Sequence, residues 1–293
     1  MSVTPIILGL AGAGAGVAGY AALLERNWFA LRYHTVPCLP PGAEPLRVLH
    51  ISDLHLRAVQ RRKQAWLRDL ARVEPDLVVG TGDFLGDDTD ETCAATVETL
   101  AAIPARVARL FVLGSNDYYG PVPKNPLRYL RRGSGLASPH GAPNPWRQMV
   151  AGLEDAGWCL VNNRALEVDG IDVIGMDDAH IGKDDPTRAS VRAPGDERFR
   201  LAIAHSPDSA PGLAAAGYDL IVCGHTHGGQ VCVPGFGALV TNCSLPRQMA
   251  SGLHRFDGAW LHVNAGLGTS MYAPYRIACR PEACVLELVP RDR

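Results

Sequence analysis

The side chains that could do chemistry in this sequence are aspartates and histidines that each follow an apolar segment. They form a D-x-H motif, a G-D pair, a histidine that ends the run LAIAH, and a G-H-x-H motif bracketed by glycines. These six residues are Asp53, His55, Asp83, His205, His225 and His227. Two carboxylates and four imidazoles favour borderline divalent ions such as Mn, Fe or Zn, whereas Ca and Mg prefer all-oxygen sites. Each motif alone is common, so a metal site requires that the fold bring them together.

The elements that must position these residues are strands that alternate with helices. Apolar runs typical of strands cover residues 46–52, 76–81, 110–113, 199–204 and 219–223, and helical patterns cover 61–73 and 92–103. Residues 165–176 have the pattern of a hairpin that turns at Asp169-Gly170. Every cluster follows the end of a strand, and the carboxyl edge of an open α/β sheet is where ligand sites form. The sequence therefore predicts an α/β protein with its site at this edge.

The composition excludes several classes of protein. The chain has 293 residues, of which 47% are hydrophobic and 20% charged, and this balance does not fit a disordered or multi-pass membrane protein. Lys and Arg number 28 against 30 Asp and Glu, a net charge of −2, so we expect no sequence-specific binding of nucleic acid. The eight cysteines are scattered and lack a C-x-x-C motif, which favours a reduced set over a disulfide framework.

The N-terminus differs from the rest of the chain. Residues 5–24 include no charged side chain, and twenty residues is the length that a helix needs to cross a membrane. Five glycines dilute the hydrophobicity of this segment, so a buried or peripheral helix is the alternative. Arg26 and Arg32 follow the segment, which by the positive-inside rule favours a cytoplasmic body. We predict a single-pass anchor in the cell membrane over residues 1–33, a linker over 34–45 and one catalytic domain over 46–293.

A further polar loop, Gly114-Ser115-Asn116-Asp117, completes a recognisable order of motifs. D-x-H, G-D, G-x-x-D, a lone His and G-H-x-H, in this order over roughly residues 46–290, resemble the calcineurin-like metallophosphoesterases, in particular membrane-associated bacterial phosphodiesterases. The resemblance implies a four-layer α-β-β-α sandwich with two facing mixed sheets, here preceded by an apolar helix, and a site for two divalent ions. It also implies the ligands, which are Asp53, His55 and His227 for one ion, His205 and His225 for the second, and Asp83 as the bridge between them.

The third motif departs from the family pattern, which reads G-N-H-D or G-N-H-E. In that pattern the Asn binds the second ion and the His protonates the leaving group, whereas here Ser115 and Asn116 stand in those places. An amide has no proton to give at neutral pH, and loss of a general acid typically costs ~10²–10⁴-fold in rate. Either the loop shifts by one residue and Asn116 supplies its amide oxygen to the ion, or Ser115 or water fills that place. We predict Asn116 as the ligand, because amide oxygen is the better donor, and we assign no catalytic acid.

The resemblance implies a phosphoesterase that hydrolyses a phosphodiester or a phosphomonoester. In such a site, a hydroxide that bridges the two ions attacks the phosphorus. If the anchor holds the site beside a membrane, a phospholipid or another lipid-linked phosphate is the expected substrate, and a soluble nucleotide is the alternative. The alternative function is a metal-binding sensor or scaffold with little turnover, because Asn116 stands where the family has its catalytic His.

Overall fold

The computed structural model describes residue 12 and residues 14–123 and 141–291. Within these ranges the strands are β1 (Ala30–Leu39), β2 (Leu46–Ile51), β3 (Leu77–Thr81), β4 (Ala108–Val112), β5 (Cys159–Leu160), β6 (Arg164–Val168), β7 (Ile171–Met176), β8 (Arg200–Ala204), β9 (Leu220–Cys223), β10 (Cys232–Val233), β11 (Gly237–Ala238), β12 (Gly252–Phe256), β13 (Ala259–Val263) and β14 (Glu282–Pro290). The α-helices of the body are α1 (Arg61–Asp69), α2 (Asp90–Ala101), α3 (Ser115–Tyr118), α4 (Trp146–Asp155) and α5 (Ala210–Ala215).

Two mixed sheets make up the body. The first has the strand order β1-β14-β2-β3-β4-β5, and the second has the order β12-β13-β9-β8-β7-β6. Strands β2 to β5 are parallel in the first sheet, and β7, β8, β9 and β13 are parallel in the second. Loops that follow the carboxyl ends of these parallel strands carry all the predicted site residues, as is usual for ligand sites in α/β sheets.

Apolar side chains pack in three layers around the two sheets. Val48 of the first sheet and Val222 of the second lie in the core between the sheets. Leu67 of α1 lies in a cluster on the outer face of the first sheet, and Leu213 of α5 packs with Ile221 on the outer face of the second. Helices therefore cover both outer faces, and the predicted four-layer α-β-β-α sandwich is confirmed.

One strand lies where the sequence indicates a linker. Residues 34–45 are predicted to connect an anchor to the domain, but Ala30–Leu39 forms β1 and pairs in parallel with β14. Prolines favour the linker interpretation, yet Pro37 is compatible with β1 because β1 is an edge strand with one unpaired side. The folded domain therefore extends N-terminally at least to Ala30.

Much of the predicted N-terminal anchor lies outside the described residues, which omit residues 1–11 and 13. Residues 14–19 are α-helical, and the chain continues as a π-helix over Tyr20–Leu24 and a 3-10 turn over Glu25–Asn27. The described part of the chain contains no helix with the length and apolar character needed to cross a membrane. The membrane anchor therefore stays a prediction.

Candidate metal centre

Most of the predicted ligands have left-handed backbone. Positive φ angles occur at Asp53 (48°), His55 (37°), Asp83 (55°), His225 (70°) and His227 (51°). Such conformations cost of order 1–3 kcal/mol each in a residue other than glycine, and they persist only where the surroundings determine them. These sharp turns follow the strands and direct the Asp and His side chains toward the gap at the sheet edge.

Asp117 holds two of these loops together from beneath. Its carboxylate accepts hydrogen bonds from the backbone N–H groups of Asp83 at 2.8 Å, Phe84 at 2.7 Å, Leu85 at 3.1 Å and Gly114 at 2.9 Å. The loop after β3 and the loop after β4 therefore share one buried carboxyl group. The sequence alone did not indicate this role of Asp117. The only signal for it was the carboxylate that ends the G-x-x-D motif.

Two glycines allow the loops to approach one another. Gly82 has a φ of +86°, and a Cβ atom there would lie 2.9 Å from Nδ1 of His205. A Cβ atom at Gly224 would overlap the side chains of Ser52 and Asp53. Any larger residue at either position would push apart the loops that deliver the ligands.

The first group of donors comprises Asp53, His55, Asp83 and His227, and one ligand atom of each lies within 4.8 Å of all the others. Nε2 of His55 is 3.2 Å from Nε2 of His227 and 3.6 Å from Oδ2 of Asp83. Oδ1 of Asp53 is 3.7 Å from Nε2 of His227. The four donors thus converge on a space of the size that one ion occupies.

His205 and His225 form a second group on the other side of Asp83. Nε2 of His205 lies 3.6 Å from Oδ2 of Asp83 and 3.3 Å from Nδ1 of His225. The remaining ring nitrogens face backbone carbonyls: Nδ1 of His205 lies 2.6 Å from the oxygen of Thr81, and Nε2 of His225 lies 3.1 Å from that of Asn242. Because a carbonyl requires an N–H donor, these contacts turn the opposite nitrogen of each ring toward the site, as occurs in metal-binding histidines.

Asn116 contacts the carboxylate that lies between the two groups. Its backbone N–H donates to Oδ1 of Asp83 at 2.8 Å, and its side-chain Nδ2 donates to Oδ2 at 2.7 Å. Asn144 donates to the backbone oxygen of Asn116 at 2.6 Å and so fixes the start of α3. The structure thus places the amide of Asn116 beside the predicted bridging residue.

Burial and mutual charge shift the pKa values of this cluster in opposite directions. Burial raises the pKa of Asp53 to about 7 and lowers the pKa values of His55 and His225 to about 4. Burial would also raise the pKa of Asp83, but His205 and His55 outweigh it and hold that pKa well below its usual range. Burial would lower the pKa of His205, but the neighbouring carboxylates, Asp83 foremost, raise it to about 10. The Asp83 carboxylate therefore favours the protonated form of the His205 ring.

Two buried atoms of the cluster test whether a cation fits. In the described part of the chain, Oδ1 of Asp53 and Nδ1 of His227 are buried and have no hydrogen-bond partner. The other oxygen of Asp53, Oδ2, accepts from Ser52 Oγ at 2.5 Å and from the backbone N–H of His225 at 2.9 Å. A buried carboxylate oxygen without a partner is costly, and a cation bound at Oδ1 would remove that cost. The residues present therefore fit a divalent metal.

Two further residues at the site carry no sequence motif. The ring of His180, which follows β7, lies 4.7 Å from the ring of His225, measured between centroids. Arg276 is fully buried, and its guanidinium donates to the carbonyls of Gly268 at 2.8 Å and His227 at 3.4 Å. Both depend on contacts between segments far apart in the chain, which no local pattern reveals.

Known proteins resemble this chain over most of its length. A family model described as calcineurin-like phosphoesterase matches residues 46–229. Phosphodiesterase YaeI of Escherichia coli is 28% identical over 280 residues, which cover 92% of each chain. The uncharacterized metallophosphoesterase YkuE of Bacillus subtilis is 28% identical over 291 residues, with 94% of this chain and 91% of that protein covered. UDP-2,3-diacylglucosamine pyrophosphatase LpxG of Chlamydia muridarum is 27% identical over 283 residues, with 82% and 83% covered. These matches confirm the resemblance that the motifs indicated.

Proposed function

We propose that this chain cleaves a phosphodiester or pyrophosphate bond with two divalent ions bound at the candidate metal centre. The chain belongs to the calcineurin-like phosphoesterase family and is a hydrolase that acts on ester bonds. The observation that carries this proposal is the convergence of Asp53, His55, Asp83 and His227 from three different strand ends on one small space. Oδ1 of Asp53 supports it, because this buried atom has no hydrogen-bond partner among the described residues and a bound cation would supply one. Relatives named phosphodiesterase and pyrophosphatase favour catalysis over the alternative of a sensor without turnover.

The proposed ligands divide into two sets that share Asp83. Asp53, His55 and His227 would hold one ion, and His205, His225 and Asn116 would hold the second. Oδ2 of Asp83 supports the shared role, because it lies 3.6 Å from Nε2 of both His55 and His205. When bound, such a pair of ions, of which Mn, Fe and Zn suit these donors, activates a water and neutralises charge on the phosphoryl oxygens.

Asn116 would act by rotation of its side-chain amide. As it stands, Nδ2 of Asn116 donates to Oδ2 of Asp83. A half-turn of the amide exchanges nitrogen for oxygen and presents an acceptor at the same place. Because the amide cannot supply a proton, we assign the contact with the leaving group to His180, whose exposed ring packs against His225 at the rim of the site.

The surface beside the centre supports a lipid-linked substrate. Leu23, Leu24 and Trp28 of the N-terminal segment and Tyr272 and Tyr275 of a nearby loop are all at least 39% exposed. Exposed apolar patches of this kind mark contacts with membranes or partners. The two segments meet directly, because the side chain of Arg26 donates to the carbonyl of Pro274 at 3.1 Å.

This apolar surface lies close to the metal centre. The backbone N–H of Arg276 donates to the carbonyl of Ala21 at 3.2 Å, and the guanidinium of the same residue reaches the carbonyl of His227. The relative LpxG is named for a diacylated pyrophosphate substrate, which has both the apolar chains and the phosphates that such a surface and site would accept. We therefore propose a lipid-linked phosphate as the substrate and the cytoplasmic face of the cell membrane, reached through the N-terminal segment, as the place of action.

The experiment that tests the function is hydrolysis by the purified full chain after removal and replacement of metal. Protein loaded with Mn²⁺, Fe²⁺ or Zn²⁺ is assayed on bis(p-nitrophenyl) phosphate, on p-nitrophenyl phosphate and on a diacyl lipid pyrophosphate in mixed micelles. We expect metal-dependent cleavage, with the lipid substrate preferred. Failure of every metal-loaded form on all three substrates would contradict the proposal. Equal efficiency on bis(p-nitrophenyl) phosphate and on the lipid pyrophosphate would retain the chemistry but reject the preference for a lipid-linked substrate.

A further inference from the structure

A second cluster of metal-binding side chains lies outside the candidate metal centre. His34 of β1, Cys284 of β14 and His262 of β13 each place one ligand atom within 4.8 Å of the other two. Strands β1 and β14 are neighbours in the first sheet, whereas β13 belongs to the second. The cluster therefore joins the two sheets across the layer between them. His262 and Cys284 are fully buried, and His34 is partly exposed at the edge.

His262 has one ring nitrogen that no hydrogen bond uses in the described part of the chain. Its Nδ1 lies 2.8 Å from Nδ1 of His50, and Nε2 of His50 lies 2.9 Å from the hydroxyl of Thr81. In the described part of the chain, Nε2 of His262 is buried and has no hydrogen-bond partner. This is the kind of buried polar atom that requires a ligand, a water or an ion to explain it.

The hydrogen-bond chain decides which nitrogen of His262 carries the proton. Only one of two facing Nδ1 atoms can donate. If His50 donated, Nε2 of His262 would carry a buried N–H with no acceptor, which is the more costly arrangement. If His262 donates from Nδ1, then His50 donates from Nε2 to Thr81 and every N–H has an acceptor. Nε2 of His262 is then a bare lone pair, oriented by an outer hydrogen bond in the way typical of metal-binding histidines.

The electrostatic surroundings suit a cation with soft and imidazole ligands. Burial lowers the pKa values of His34 and His262, so both rings are neutral and able to bind a metal. Burial raises the pKa of the Cys284 thiol, which without a metal stays protonated and donates weakly to Oε1 of Glu282 at 3.9 Å. A bound ion would displace that proton to solvent, because a coordinating thiol ionises.

We propose that His34, His262 and Cys284 bind one zinc ion that ties the first sheet to the second, with water at the fourth position. Two imidazoles and a thiolate are a ligand set that zinc accepts, with bond lengths of roughly 2.0–2.3 Å that bring all ligand atoms to within about 4 Å of one another. The ligand atoms now lie within 4.8 Å of one another, so binding would draw them closer together, and His34 is the partly exposed ligand of the three. The site is distinct from the candidate metal centre, because the two share no ligand.

Cobalt titration of the full chain tests this site by a signal that the candidate metal centre cannot give. Co²⁺ bound to a thiolate produces sulfur-to-metal charge-transfer absorption, and the proposed ligands of the metal centre include no cysteine. We expect this absorption in the wild type, its loss in Cys284→Ser, and its retention in Cys38→Ser. Cys38 is the matched control, because it is also a buried cysteine of the layer between the sheets. Addition of Zn²⁺ to the wild type should displace the cobalt and remove the band.

Two outcomes would overturn the proposal. One is the absence of a thiolate band from the folded wild type in excess Co²⁺, and the other is a band that persists in Cys284→Ser. If Cys284→Ser does not fold, His34→Ala serves instead, because this partly exposed side chain contributes little to packing. We expect His34→Ala to weaken cobalt binding, read from the thiolate band, by at least tenfold, and an unchanged affinity would equally reject the site.

Discussion

Replacing Asp83 by Asn should remove the ligand that the two proposed metal sets share, without changing the shape of the side chain. Oδ1 of Asp83 accepts the backbone N–H of Asn116, so the amide oxygen of the variant must occupy that position. The amide nitrogen then takes the place of Oδ2, the atom that lies 3.6 Å from Nε2 of both His55 and His205. An amide N–H₂ has no lone pair for a metal, so both sets lose this ligand at once.

The size of the effect follows from this geometry. Losing even an outer partner of a metal ligand typically costs 10–100-fold in affinity, so loss of a shared carboxylate should weaken the second ion by more than about 100-fold. Ions contribute several kcal/mol of charge stabilisation to phosphoryl transfer, and about 4 kcal/mol corresponds to roughly 10³-fold in kcat. We therefore expect Asp83→Asn to retain one ion or none and to lose at least about 10³-fold of its activity.

Metal content by mass spectrometry and hydrolysis of bis(p-nitrophenyl) phosphate measure the two effects separately. Asp87→Asn is the matched control, because Asp87 lies four residues farther along the same loop and pairs with Arg57 at 3.0 Å instead of with the proposed ligands. The control should keep both ions and its activity. A folded Asp83→Asn protein with two tightly bound ions and wild-type turnover would refute the assignment of Asp83.

Three other predictions concern the same centre. Metal affinity should rise about tenfold per pH unit between pH 7 and 9, because His205 has a pKa raised to about 10 and must lose its proton to bind a metal. Equilibrium dialysis that shows the same affinity across this pH range would contradict the prediction. His180→Ala should lower kcat for an alkyl phosphodiester by about 10²-fold or more but leave kcat for p-nitrophenyl esters unchanged, because their leaving groups need no proton. Equal losses of kcat on both substrates would reject the contact of His180 with the leaving group. Asp117→Asn should lower the free energy of unfolding by about 3 kcal/mol, because the amide N–H₂ group would face backbone N–H donors that now donate to the carboxylate. Denaturant titration measures this change, and an unchanged unfolding midpoint would show that these hydrogen bonds contribute little to stability.

The strands and the ligand positions could be predicted because the signals for them are local. The predicted strands at residues 76–81 and 219–223 match Leu77–Thr81 and Leu220–Cys223 to within one residue, since each apolar run is ended by glycine. The hairpin at Asp169-Gly170 likewise joins β6 to β7 as predicted. Regular spacing of apolar residues between such turns is sufficient to indicate an α/β fold.

The parts that could not be predicted depend on contacts between distant segments. Strand β1 pairs with β14, some 250 residues away, and its sequence alone reads as a proline-containing linker. Arg276 looks like an ordinary surface arginine until the fold surrounds it with carbonyl groups. His262 likewise has no sequence signal, and only the packing of β13 places it close to His50 and Cys284.

The metal centre is also where local and global preferences conflict most. Five proposed ligands adopt left-handed backbone, and at about 1–3 kcal/mol each the summed cost is comparable to the net stability of a whole domain, about 5–15 kcal/mol. Asp53, Asp83, Asp117 and Asp178 are moreover buried, and the charge of Asp83 repels each of the other three carboxylates. Hydrogen bonds from backbone N–H groups offset part of this cost, but Oδ1 of Asp53 and Oδ2 of Asp178 are left without partners in the described part of the chain. Cations bound among these donors would offset both the strain and the repulsion between carboxylates, and they would supply the positive charge that attracts a phosphate to the site.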